Sequence, residues 1–279
     1  MDVSDLGGKT ALVTGAASGI GRATALALAR RGADLFLCDL DEAGLAATRR
    51  DAEGLGRTVL CRPVDVASSD QMRAFAAAVH ERVAGVDILV NNAGVGLAGG
   101  FLDTSLEDWQ WITDINLRGV VHGCHFFAPA MVARGCGGHI ANVSSMAGFM
   151  ATAALAAYAT TKFAVFGLSE ALRDELAPHR IGVTSVCPGI INTPITRNAR
   201  LRGATLQREG ARQEMIALYE KRNYGPERVA RAILRAIERN RAVAPVSPEA
   251  WGMYYLKRLA PGVVRRLAAR FAARSGLDA

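Results

Sequence analysis

Tyr158 and Lys162 stand four residues apart in Tyr158-Ala159-Thr160-Thr161-Lys162, and Ser145 lies thirteen residues before the tyrosine. On a helix, a spacing of four stacks a phenol and an ammonium on one face. A free phenol ionises near pH ~10, too high to shuttle protons at neutrality. A neighbouring ammonium favours the phenolate and draws that value toward the working range. The set points to acid/base chemistry on an alcohol or a carbonyl. The same spacing also describes an ordinary helix-surface pair, so the surrounding elements must decide.

Those elements alternate. Apolar runs at Thr10–Thr14, Asp34–Cys38, Thr58–Cys61, Asp87–Val90, Gly138–Val143 and Ile181–Val186 read as strands. Helical patterns separate them, near 19–31, 42–54, 69–84, 108–133 and 158–177. Such alternation predicts an α/β chain, a doubly wound parallel sheet of the Rossmann type with right-handed crossovers, in one domain.

Where the first strand meets the first helix, the chain reads Thr14-Gly15-Ala16-Ala17-Ser18-Gly19-Ile20-Gly21. Glycines there let the backbone approach a pyrophosphate, which the helix N-terminus stabilises with free N–H groups. Asp39 ends the second strand, 18 residues after Gly21, where a carboxylate accepts hydrogen bonds from a ribose. A 2′-phosphate beside Asp39 would meet like-charge repulsion of about 4 kcal/mol. Ser18 and Leu40 hold the adjacent positions, and Arg22 suits the helix surface. The expected cofactor is NAD rather than NADP.

Composition excludes several classes. The 279 residues are 50% hydrophobic and 21% charged, a globular balance. Five scattered cysteines lack metal-ligand spacing and read as thiols of a reducing compartment. No metal site is expected, and the five histidines read as packing or surface residues. No apolar run is long enough to span a bilayer, and the acidic N-terminus carries no secretory signal, so a cytoplasmic protein is expected. The net charge of +7 is uneven: residues 1–196 hold 15 Lys/Arg and 19 Asp/Glu, and residues 197–279 hold 18 and 7. The last third therefore carries +11 against −4, but without a nucleic-acid-binding motif.

Taken together, residues 8–245 resemble the short-chain dehydrogenase/reductase family in its compact form. Thr14 to Gly21 matches its TGxxxGxG turn, with Gly15, Ser18, Gly19, Ile20 and Gly21 as cofactor contacts. Asp65-Val66 matches the pair at the adenine, and Asn91-Asn92-Ala93-Gly94 the NNAG motif that stabilises the sheet and lines the cofactor. Asn116 matches the active-site asparagine, Ser145 the serine, and Tyr158/Lys162 the YxxxK pair. Pro188-Gly189 and Thr193 match the loop beside the nicotinamide carboxamide.

The resemblance implies oxidation of an alcohol or reduction of a ketone by hydride transfer. Tyr158 would move the proton, Lys162 would lower the tyrosine pKa and hold the nicotinamide ribose, and Ser145 would hydrogen-bond the substrate oxygen. Asn116 would anchor a water relaying protons from Lys162. The resemblance also implies a homodimer or homotetramer paired through the tyrosine helix, and a helical lid near 195–224.

Met146 to Leu155, Leu97 to Phe101 and Ile190-Ile191 are uncharged, which favours a lipophilic or alicyclic alcohol or ketone. The arginines of 195–224 could clamp an acidic group or coat a solvated lid. Two other functions stay open: an NADPH-dependent 3-oxoacyl-carrier-protein reductase, against which Asp39 counts, and a non-catalytic dinucleotide sensor. The catalytic domain is expected over 1–248, with a basic amphipathic extension over 249–279. There Val263, Val264, Leu267 and Phe271 share an arc apart from Arg265, Arg266 and Arg270. The extension suits packing on a subunit or lid, contact with an anionic membrane, or docking of an acidic carrier protein. Its Ala/Arg-rich character resembles actinobacterial members of the family.

Overall fold

A computed structural model describes residues 5–264 and 266. Seven parallel strands form the central sheet. They are β1 (Thr10–Thr14), β2 (Asp34–Asp39), β3 (Val59–Pro63), β4 (Ile88–Asn91), β6 (Gly138–Val143), β7 (Ile181–Pro188) and β9 (Val243–Val246), with β5 (Leu97–Ala98) and β8 (Arg200–Leu201) standing apart. The sheet order is β3-β2-β1-β4-β6-β7-β9, so the direction of winding reverses between β1 and β4. Such a reversal opens a crevice at the carboxyl ends of the strands. The strands are largely apolar because both faces are covered: β4 and β6 are buried at every position, their polar Asn91, His139 and Asn142 included.

On one face lie α1 (Gly19–Ala29), α2 (Glu42–Glu53) and α9 (Pro226–Glu238), packed through Leu28, Val229 and Ile233. On the other lie α3 (Ser69–His80), α5 (Gly119–Arg134) and α6 (Ala156–Leu176), packed through Phe75, Phe127 and Val165. The remaining helices are α4 (Leu106–Thr113), α7 (Ala204–Gln207), α8 (Ala211–Arg222) and α10 (Pro248–Leu259).

Two local expectations need correction. The single helix predicted near 108–133 is α4 and α5 joined by a π-helical turn over Asp114–Arg118. The one-residue insertion rotates Asn116 inward, where it is fully buried. The sequence reading also stopped short of α9 and β9. Pro245 weakens the strand signal in Val243–Val246, but β9 pairs only with β7, and an edge strand tolerates proline.

Of the predicted tail helix, residues 261–264 are helical and Val264 is buried. Arg265, Leu267, Arg270 and Phe271 lie outside the described residues, as does most of the proposed amphipathic arc. Among the described residues, no helix is long and apolar enough to cross a membrane.

Candidate active site

The crevice at the winding reversal is a cavity of about 430 Å³. Its floor is the β1–α1 turn. Gly21 sits so close beneath Gly15 that a Cβ there would fall 2.0 Å from the Gly15 carbonyl oxygen. Gly15 itself has φ +66°, in the left-handed region that favours glycine. The Ser18 hydroxyl makes no capping hydrogen bond, so the first-turn amides of α1 face the cavity without a side-chain acceptor. An anion fits this terminus.

The turn is fixed from the neighbouring strand. Thr14 Oγ1 accepts from the amides of Asn92 and Ala93, each at 3.0 Å, and Asn92 Nδ2 donates to the carbonyls of Thr14 and Gly15. Asn91 points the other way, donating to Asn142 Oδ1 at 2.9 Å within the sheet. Asp39 closes the far end. Its carboxylate accepts from the Ala17 amide at 2.9 Å and the Asp41 amide at 3.1 Å. Arg22 pairs with Asp51 on the helix surface. The ring of His122 bonds the main-chain carbonyl of Val66 at 2.8 Å, steadying the cavity wall beside Asp65.

Ser145, Tyr158 and Lys162 meet at the other end. Both Ser144 and Ser145 line the cavity; the Ser144 hydroxyl is spent on the Lys162 carbonyl at 2.8 Å, whereas the Ser145 hydroxyl meets the Tyr158 phenol. Lys162 Nζ donates to the Val143 carbonyl at 3.0 Å and lies 5.7 Å from the Tyr158 ring centre. Gly94 permits this convergence: a Cβ there would stand 3.1 Å from Asn116 Oδ1 and 3.5 Å from Lys162 Nζ. Asn116 Oδ1 accepts from the Val95 amide at 2.8 Å, and its Nδ2 donates to the Val95 carbonyl and toward Thr161.

The electrostatics correct one expectation. Burial pushes the Tyr158 phenol up to about 12; the Ser145 hydroxyl pulls it down, and the nearby Tyr219 phenol adds to the rise. Lys162 is brought down to about 8 by burial, against the attraction of the Cys187 sulfur. In the protein alone the Tyr158 phenol stays above the neutral range because of burial, and Lys162 is not among the groups that draw it down.

The lid segment is tied down by its own arginines. Arg200 and Arg202 both bind the buried Asp108 carboxylate, Arg200 at 2.9 Å with its guanidinium 3.7 Å over the Trp111 ring. Arg197 pairs with Glu220, and Arg208 with Glu214. Arg222 binds Glu249 at 2.7 Å, and the same carboxylate accepts the Ile190 amide at 3.1 Å. Helix α10 thus joins the lid to the Pro188-Gly189 loop, while Tyr254 packs edge-on to Phe149 behind the Ser145–Tyr158 segment.

Every cofactor residue named from the sequence lies on the cavity wall except Gly21, which supports Gly15 from below. Of the four named catalytic residues, Asn116 alone stands behind the wall. Met215 and Tyr219, absent from the residues expected from the sequence, reach the cavity from α8. Their spacing of four, which puts them on one face of the helix, was the available signal. Glu249 was absent from those residues as well.

A doubly wound parallel sheet, with a glycine turn and a Ser–Tyr–Lys cluster at its carboxyl edge, defines a Rossmann-type protein. Residues 9–203 match the short chain dehydrogenase family. EphD of Mycobacterium tuberculosis, named as an oxidoreductase, is 41% identical over 259 residues, 92% of this chain. The chain spans only 44% of that relative's length. SadH of the same organism, also named as an oxidoreductase, is 38% identical over 272 residues, 96% of either chain. The crystal structure of a short chain dehydrogenase/reductase from Burkholderia phymatum in complex with NAD superposes with a TM-score of 0.84 at 32% identity. That match covers 94% of this chain and 96% of the other. The chain belongs to the short-chain dehydrogenase/reductase family.

Proposed function

We propose that the protein is an NAD(H)-dependent oxidoreductase interconverting a secondary alcohol and a ketone on an apolar, uncharged substrate. One observation carries this reading: the glycine turn, Asp39 and the Ser145–Tyr158–Lys162 cluster open onto a single cavity. The bound nicotinamide would accept or deliver hydride at the carbinol carbon. Tyr158 would take or return the proton at the substrate oxygen, and Ser145 would hydrogen-bond that oxygen as charge develops on it. Lys162, whose ammonium lies beside Gly94, would hold the ribose hydroxyls. A proton relay through Asn116 would use its main-chain carbonyl, because both amide hydrogens of its side chain are taken up by Val95 and Thr161.

The pyrophosphate would lie on the first turn of α1, and the adenosine ribose on Asp39. Asp39 and the engagement of Arg22 by Asp51 favour NAD over NADP, as does the NAD complex of the Burkholderia relative. The lid arginines are held by acidic side chains or main-chain carbonyls, which supports a neutral substrate over an acidic carrier protein. Val121 on α5 and Phe163 on α6 are each 41% exposed, which suits a homo-oligomer paired through the tyrosine helix. A screen at 340 nm with NAD+ and NADP+ against cyclic, aromatic and steroidal alcohols tests the reading. NADH should accumulate with at least one of them. Tight NAD+ binding without turnover of any alcohol would return the protein to the sensor class.

A further inference from the structure

We infer that Tyr219 is a specificity-determining residue whose hydroxyl binds a second neutral oxygen on the substrate, remote from the carbon that reacts. The inference rests on the alcohol/ketone reading above and narrows it to substrates with two oxygens.

Tyr219 lies on the lid helix α8 and reaches the same cavity as Tyr158. The two phenols are close enough that ionising one opposes ionising the other. The cavity that Tyr219 reaches is also lined by the apolar side chains of Val95, Leu97, Met150, Leu155, Ile195 and Met215. Among the described residues its hydroxyl has no hydrogen-bond partner. Burial pushes its pKa up, so at neutral pH the group is an uncharged phenol, able both to donate and to accept.

A half-buried hydroxyl on an apolar wall has a consequence for binding. A hydrocarbon substrate closing over it removes water from the phenol and returns no hydrogen bond, which is unfavourable. A ligand carrying a hydroxyl, ketone or ring oxygen at that place restores the bond. The reacting oxygen would already be bonded by Ser145 and Tyr158, so a second oxygen is needed for this role. A carboxylate or phosphate is the wrong partner, since among the described residues no arginine lines the cavity, and Arg197, Arg200, Arg202 and Arg222 of the lid are paired with Glu220, Asp108 and Glu249. The ligand class is therefore a neutral hydroxy- or keto-substituted alicyclic alcohol, or the ketone formed from it.

The test compares kcat/KM for cyclohexane-1,3-diol and cyclohexane-1,4-diol with that for cyclohexanol, using NAD+ and the full chain, in wild type and Tyr219→Phe. Wild type should prefer one diol over cyclohexanol by about tenfold, the worth of one neutral hydrogen bond. Tyr219→Phe should erase that preference. A preference that survives in Tyr219→Phe, or a wild type that favours neither diol, overturns the inference. An equal loss on diol and monool also overturns it, because that marks a structural role; melting temperatures of both proteins identify a misfolded variant. Absence of turnover on every alcohol in wild type would instead overturn the dehydrogenase reading, and this inference with it.

Discussion

The Lys162 ammonium is held by the Val143 carbonyl at 3.0 Å, and only 4% of the lysine is exposed. A buried cation on a carbonyl is unfavourable, and its pKa accordingly falls to about 8. The unfolded chain keeps the proton up to about 10.5. The cost is therefore full below pH 8, at roughly 3 kcal/mol, and is relieved as pH rises toward 10. Melting of wild type against Lys162→Met should show a stability difference that shifts in favour of wild type between pH 8 and 10. A difference independent of pH would mean that Lys162 is not desolvated.

Ser145 opposes the upward push of burial on Tyr158. Alcohol oxidation requires the phenolate, so its rate should rise with pH. Ser145→Ala should lower kcat by about 100-fold, as removal of one oxyanion donor does, and move the rising limb to higher pH. A limb displaced to lower pH would contradict the role given to Ser145.

On the proposed reading, Asp39 would hold its carboxylate where the 2′-phosphate of NADP+ would have to lie. Wild type should favour NAD+ over NADP+ in kcat/KM by about 100-fold or more, given a repulsion of several kcal/mol. Asp39→Ala should remove most of that preference. Equal use of both cofactors by wild type would overturn the assignment.

Much of this was legible in the sequence. Parallel strands buried on both faces are continuous apolar runs, so β1, β2, β4, β6 and β7 stand out. The glycine turn and Asp39 were also readable from their places at the ends of β1 and β2, and Gly15 and Asp39 both line the cavity. Other features were hidden for physical reasons. A π-helical turn at Asp114–Arg118 leaves the apolar period of the helices on either side nearly intact. The Asp108–Arg200 and Asp108–Arg202 bonds join residues 92 and 94 apart in sequence, which no local pattern reports. The lid arginines look free in sequence because their partners lie on other elements or several residues away.

Asp108 illustrates that long-range wiring. Hydrogen bonds from Arg202, then Arg200, hold its carboxyl below the usual range despite the opposing effect of burial. Asp108→Asn should destabilise the protein by about 2 kcal/mol, below the usual cost of breaking a buried pair because both arginines are about one-third exposed. It should also raise KM for alcohol more than for NAD+, since β8 pairs with β5 along the substrate wall. Urea unfolding and steady-state kinetics check both parts; unchanged stability would contradict the first.

On the proposed mechanism, Tyr158 moves the proton while hydride leaves the carbinol. Tyr158→Phe tests this most directly, followed at 340 nm with an alcohol that wild type oxidises and by calorimetric titration with NAD+. The expected result is a fall in kcat of at least about 1,000-fold, within the usual worth of general acid/base catalysis, with NAD+ affinity retained. Turnover by Tyr158→Phe at the wild-type rate would contradict it.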